Sequence, residues 1–198
     1  MLELTIALVI FLFPLAYSPG PGNLFFAANG ARFGLGATMP AMAGYHVATI
    51  LVTIAIGLGF ATAIDEFPWL LVIVKWGGSV YVLYLAWKFF RAGMIDDNGE
   101  ARPAGFVEGG LLLVLNPKAY MIIMLMFTQF LGPATAGYTA AVLWISLVFT
   151  INNLIAFTVW ALIGDQILAR FRDAAASRKM NLVFGAVLAI VAIWMMLG

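Results

Sequence analysis

Apolar residues fill this sequence in long blocks, and the polar residues gather in a few short interruptions. Read for apolar runs separated by charge, Gly and Pro clusters, the chain divides into six segments at about 3–31, 36–63, 69–91, 106–131, 138–164 and 177–197. Each holds roughly 20 residues or more, and at about 1.5 Å per residue such a helix crosses a hydrocarbon core of about 30 Å. The interruptions differ in chemistry. Arg32-Phe33-Gly34 makes a tight first turn and Asp65-Glu66-Phe67-Pro68 a second. Gly93 to Pro103, with Asp96-Asp97-Asn98-Gly99-Glu100, is the one long polar stretch; Gly132-Pro133 opens the fourth connection, and Asp165 to Lys179 forms the fifth. The pattern predicts an all-α integral membrane chain with a single transmembrane domain over residues 1–198.

Composition strengthens that reading. Hydrophobic residues make up 64% of the chain and charged residues 10%, against about 45–50% and 25% in soluble domains. The net charge of +1 offers no basic field to nucleic acid. With no cysteine, disulfides, thiolate metal sites and cysteine redox chemistry are excluded. Met1-Leu2-Glu3-Leu4 lacks the basic start of a secretory signal, so the first segment is expected to remain as a permanent span. Cations set the orientation. Arg32, Lys88, Arg91, Arg102, Arg170, Arg172, Arg178 and Lys179 all fall in or beside the odd-numbered connections, whereas Asp65 and Glu66 occupy an even one. The positive-inside rule then makes the odd connections cytoplasmic, 92–105 and 165–176 among them, and turns both termini to the periplasm.

Four polar groups sit where lipid would surround them, and intramembrane polar residues are functional candidates by default. The first segment carries Ser18-Pro19-Gly20-Pro21-Gly22-Asn23 and the fourth carries Asn116-Pro117-Lys118. Proline removes a backbone donor and clashes with the preceding turn, so both helices are expected to break there. The second segment holds His46 and the fifth Asn152-Asn153. Counted at about 1.5 Å per residue, all four groups fall near one depth. The interrupted segments are the first members of two three-helix halves, and an odd number of spans inserts those halves in opposite directions. Paired Pro-interrupted segments in inverted halves point to a transporter's midplane site.

Each residue also has a plainer reading. The proline-rich stretch could be a packing kink, Lys118 could snorkel to an interface, and Asn152 and Asn153 could hydrogen-bond between helices. His46 could do the same, although its ordinary proton affinity near neutral pH suits proton exchange. Lys118 could instead pair with Glu108 or with a substrate carboxylate. Lys75 reads as snorkelling, most Trp and Tyr residues as anchors or packing, and Gly57 and Gly59 as sites of close helix contact. An intramembrane enzyme would have only a Ser18–Lys118 pairing to build on. A metal carrier would want several His or acidic ligands in the spans. A passive channel stays open.

The same residues carry a resemblance. Ser18-Pro19-Gly20-Pro21-Gly22-Asn23, followed by Asn29-Gly30-Ala31-Arg32-Phe33-Gly34, resembles the PGPN signature and Gly-rich turn of the LysE/RhtB family of amino-acid exporters. Lys75-Trp76-Gly77-Gly78-Ser79-Val80-Tyr81-Val82-Leu83-Tyr84-Leu85-Ala86-Trp87-Lys88 is similar to that family's third span. Phe106 with Gly109, then Leu115-Asn116-Pro117-Lys118-Ala119, is similar to its fourth. Two departures stand out: an inserted glycine gives PGPGN, and His46 stands where many relatives carry an acidic residue. The resemblance implies six transmembrane helices as two inverted three-helix repeats, with spans one and four broken by proline. It implies export of amino acids or similar zwitterions across a bacterial inner membrane by proton antiport, without a cofactor or metal, and is compatible with a homodimer. On this reading Ser18, Pro19, Gly20, Pro21, Asn23, Asn116, Pro117, Lys118, Asn152 and Asn153 bind substrate, and His46 and Lys118 are the coupling candidates.

Overall fold

The computed structural model describes residues 2–60, 69–94, 102–131, 137–170 and 174–197, and every regular element among them is helical. In chain order these are α1 (Leu2–Tyr17), α2 (Pro21–Ala55), α3 (Trp69–Met94), α4 (Phe106–Val114), α5 (Pro117–Phe130), α6 (Tyr138–Arg170) and α7 (Ala174–Leu197). A π-helical segment, Ile56–Phe60, extends α2. The expected turn at Asp65–Pro68, the polar stretch Asp96–Glu100, the Gly132-Pro133 connection and Arg172 lie outside the described residues. So do the side chains of Lys75, Lys88 and Arg170.

Local chemistry explains where the helices start. α2 and α5 both begin with proline at their first position, after an extended residue: Gly20 at φ −168°, ψ 175° and Asn116 at φ −100°, ψ 99°. Proline is favoured there because the first helical N–H has no intrahelical partner to lose, and the residue before it is pushed out of the α region. Where the first turn was expected, Gly34 adopts φ 81°, ψ 165° inside α2. That is a left-handed conformation that a side chain would strain. Gly57 packs closely, since a Cβ there would lie 2.6 Å from Phe127 and from Val142. Gly59 behaves otherwise: a Cβ there would meet nothing among the described residues, and its φ of 119° is what requires glycine.

Among the described residues two helical stretches, Pro21–Gly59 and Tyr138–Gln166, are long and apolar enough to cross a membrane. α4 and α5 make a third if taken as one span bent by 61°, and α1 is a shorter apolar helix of 16 residues. Large apolar side chains line the outside, including Ile10, Phe13, Leu51, Val107, Met121 and Ile190. This is the surface of a chain solvated by lipid rather than water.

α2 lies at the centre, packed on α6 and α4, while α3 pairs with α7 and α1 rests on α6. At four points the contacts of α2 are backbone to backbone. A Cβ on Gly30 would strike the Ala161 carbonyl oxygen, and one on Gly164 that of Ala27; Gly44 and Phe106 stand in the same relation, as do Gly109 and Ala41. Small residues let helices approach closely where no hydrophobic effect drives them together. Around these seams one core gathers Phe26, Tyr45, Leu112 and Phe157, and a second gathers Leu8, Leu12, Ile123, Met126 and Phe149.

Candidate functional site

Pro19 and Pro21 remove the two N–H groups that would have continued α1 onto the carbonyls of Leu15 and Tyr17. Other groups satisfy both oxygens. The Ser18 hydroxyl donates to Leu15 O at 3.1 Å, and Trp160 Nε1 on α6 donates to Tyr17 O at 3.2 Å. Ala16 O, which an extended Gly20 cannot reach, receives Asn23 Nδ2 at 2.8 Å, and Pro14 O receives Ser18 N at 3.2 Å. The last two carbonyls of the break go to one cation. Lys118 Nζ on α5 donates to Ser18 O at 2.9 Å, Ser18 Oγ at 3.0 Å and Pro19 O at 3.5 Å. Gly20 leaves room for that lysine, since a Cβ there would lie 2.9 Å from Lys118 Cδ.

The second break closes on its own backbone. Pro117 has no N–H for Leu113 O, and Asn116 N takes that oxygen at 2.9 Å. Leu115 N reaches Leu111 O at 2.9 Å and Ala119 N reaches Asn116 O at 3.0 Å, while the Tyr120 hydroxyl donates to Val114 O at 3.1 Å. The Asn116 side chain is buried at 4% exposure; its Nδ2 donates to the Tyr45 hydroxyl at 3.1 Å, and its Oδ1 has no partner among the described residues. Lys118 projects from the positive end of α5 to the negative end of α1, a direction both helix dipoles favour.

Tyr45 ties this centre to α2 and α6. Its ring lies 4.8 Å from that of Phe157 and 5.7 Å from that of Phe26, and the Asn153 side chain neighbours its hydroxyl. Next to it, His46 faces Phe157 at 5.7 Å, with Nδ1 2.7 Å from Met42 O. A carbonyl only accepts, so Nδ1 carries the hydrogen; the Asn153 backbone also borders the ring, and Nε2 is buried with no partner within hydrogen-bond distance among the described residues. Asn152 Nδ2 is likewise buried and unpartnered.

Of the residues expected to form a site, Ser18, Pro19, Gly20 and Lys118 therefore meet directly. Asn116 joins them from the same break as Lys118, with Pro117 opening α5 and Pro21 opening α2. Asn23 turns back to α1, and His46, on α2, and Asn152 and Asn153, on α6, are buried away from the Lys118 contacts. Glu108 is no partner for Lys118: its carboxylate takes Arg102 at 3.0 Å and Gly105 N at 3.1 Å. In the sequence Tyr45 and Trp160 do not stand out from the packing aromatics. A second polar cluster, at the Gly34 kink, is equally inconspicuous there. There Asn29 Nδ2 donates to Thr38 Oγ1 at 3.1 Å, Ala104 N donates to Asn29 Oδ1 at 3.4 Å, and Leu35 N donates to Asp165 Oδ2 at 3.4 Å. The asparagine and glycine before the kink were the only signal in the sequence.

Comparison with known proteins agrees over nearly the whole chain. The pattern of the LysE type translocator family matches residues 13–198. The cysteine/O-acetylserine efflux protein of Salmonella choleraesuis (strain SC-B67) is 25% identical over 179 residues, covering 90% of each chain. That of Salmonella typhimurium (strain LT2) shares the same figures, and the Escherichia coli (strain K12) protein of the same name is 24% identical over the same share. No solved structure matches the chain.

Proposed function

This chain belongs to the LysE type translocator family, and we propose that it is a secondary exporter of amino acids or related small polar metabolites, driven by proton antiport across a bacterial inner membrane. The observation that carries the reading is the Lys118 bridge, in which a cation from one helix break is held by the freed oxygens of the other. Broken helices and an intramembrane charge are costly in lipid and are tolerated where they line a substrate path. Ser18, Pro19, Gly20, Pro21 and Asn23 shape the site from one side; Asn116, Pro117 and Lys118 complete it from the other. Asn152 and Asn153 line it on α6. His46 is the coupling group, because a neutral imidazole with a buried, unoccupied Nε2 has a place for a proton. The names of the relatives support amino acids as the cargo.

The reading includes a multi-pass topology of six spans in two inverted halves, and two features support it. At 39 residues, the stretch Pro21–Gly59 would be about 58 Å long if straight, about twice the hydrocarbon core. The Gly34 kink divides it into two pieces, the first of which completes α1 as a span. The packing is also reciprocal: α1 rests on α6, while α4 rests on the second part of α2 through Gly44 and Gly109. In inverted halves these are equivalent contacts, each half's leading piece lying on the other half's middle helix.

The alternative of serine chemistry draws on the 3.0 Å separation of Ser18 Oγ and Lys118 Nζ. The hydrogens argue against it. The hydroxyl donates to Leu15 O, and Nζ donates to two carbonyls as well, so the lysine is an ammonium donor rather than a base. The deciding experiment is efflux from proteoliposomes loaded with labelled cysteine, O-acetylserine and a wider amino-acid panel, with and without an imposed pH gradient. Gradient-dependent efflux of one or a few of them is expected. Efflux indifferent to the gradient would replace the antiporter with a channel or uniporter. Silence across the panel beside a working control would overturn the amino-acid reading.

A further inference from the structure

Lys118 occupies a site with its own chemistry. Around Nζ stand two backbone carbonyl oxygens and a hydroxyl, at 2.9, 3.5 and 3.0 Å. Three acceptors match the three hydrogens of one ammonium group. They lie just past the C-terminal end of α1, where aligned peptide dipoles place partial negative charge. Every earlier carbonyl from Pro14 to Tyr17 is already taken by Ser18, Asn23 or Trp160. Only the Ser18 and Pro19 oxygens are left to a group that can leave, since the lysine hangs on a flexible four-carbon stem and is only part-buried.

We propose that the end of α1 is a binding site for a primary ammonium group, filled in this conformation by Lys118 as a tethered occupant that the substrate's own ammonium displaces. The identity of the displacing molecule rests on the exporter reading; the ammonium site does not. Among the described residues Lys118 bonds neutral oxygens only, and Glu108 is engaged with Arg102. Its charge therefore has no counter-ion in these contacts. A zwitterion answers both needs: its ammonium takes the three oxygens, and its carboxylate pairs with the lysine that has been released. An amine without a carboxylate must expel an ammonium already held at the high effective concentration of a short tether, and gives that lysine nothing in return. An N-acylated amino acid cannot fill the oxygen site at all. The site thereby selects for molecules that carry both charges.

The test is equilibrium binding of labelled L-serine and L-serinamide to the purified full-length protein in nanodiscs. Wild-type protein is expected to bind serine and to bind serinamide weakly. Lys118→Met empties the site, and serinamide should then bind at least about tenfold more tightly than to wild type, with the preference for serine lost. Adding Gly20→Ala to Lys118→Met should weaken that binding, because the new Cβ would lie 3.0 Å from the position Nζ holds, which the ligand's ammonium must fill. Gly20 is extended, so alanine fits its backbone. Adding Ser18→Ala to Lys118→Met should reverse the gain by removing one of the three oxygens. If neither Lys118→Met nor Lys118→Leu gains serinamide binding, the proposal is overturned. If they gain it while the wild type neither binds nor exports any amino acid, the exporter reading falls and the ammonium site stands.

Discussion

Between α1 and α2 the chain loses two backbone donors, to Pro19 and Pro21; between α4 and α5 it loses one, to Pro117. Each break ends in the same way, with an extended residue followed by proline at the first helical position. Their repair differs. The first is held by side chains from elsewhere: Asn23 from the next helix, Trp160 from more than a hundred residues away and Lys118 from the other break. The second is closed by its own backbone amides and by Tyr120, and it contributes Lys118 and Asn116 outward. One break thus depends on its surroundings, whereas the other supplies them. An element held by distant partners moves when those partners move, and this is the property a substrate-responsive segment needs.

The comparison can be broken by substitution. Asn23→Ala should cost the most, about 1–2 kcal/mol, because it strands a buried carbonyl in the dependent break. SDS titration in mixed micelles would read that loss, and Pro117→Ala under the same conditions should lose clearly less. Equal losses would mean that the two breaks are held alike. Trp160→Phe keeps an aromatic ring but removes the indole N–H that donates to Tyr17 O and some packed ring area, so a loss of about 0.6–1 kcal/mol is expected in the same titration. Smallest of all should be Tyr120→Phe, under about 0.5 kcal/mol, since its exposed hydroxyl caps a break that the backbone already closes. A Tyr120→Phe loss exceeding that of Trp160→Phe would reverse the assignment of which break is the dependent one.

Much of this was legible in the residues because proline acts locally. The helix starts at Pro21 and Pro117 follow from a missing N–H and a fixed φ, which no tertiary context alters. The all-helical, lipid-facing character and the family were legible from apolar block length and motif order. Side-chain partnerships were not. Nothing in the spacing distinguishes Tyr45, which holds Asn116, from the tyrosines that line the outside, because its role depends on which helix lies opposite. Lys118 was read as a cation in search of a carboxylate. The oxygens it uses are backbone atoms of Ser18 and Pro19, which any sequence possesses and which only the break exposes. Gly59 looked like Gly57, and its positive φ shows only in the backbone.

The glycine seams along α2 carry a mechanical consequence. At Gly30, Gly44, Gly109 and Gly164 backbone meets backbone with no side chain between. Interlocked side chains resist sliding because each displacement forces a rotamer change somewhere in the interface. At these four points α2 has no such teeth, and the main chains alone set its distance from α4 and α6. Between them the Phe26, Tyr45 and Phe157 rings interlock and hold α2 in register with α6. A single methyl group at any of the four glycines would act as a wedge between the helices.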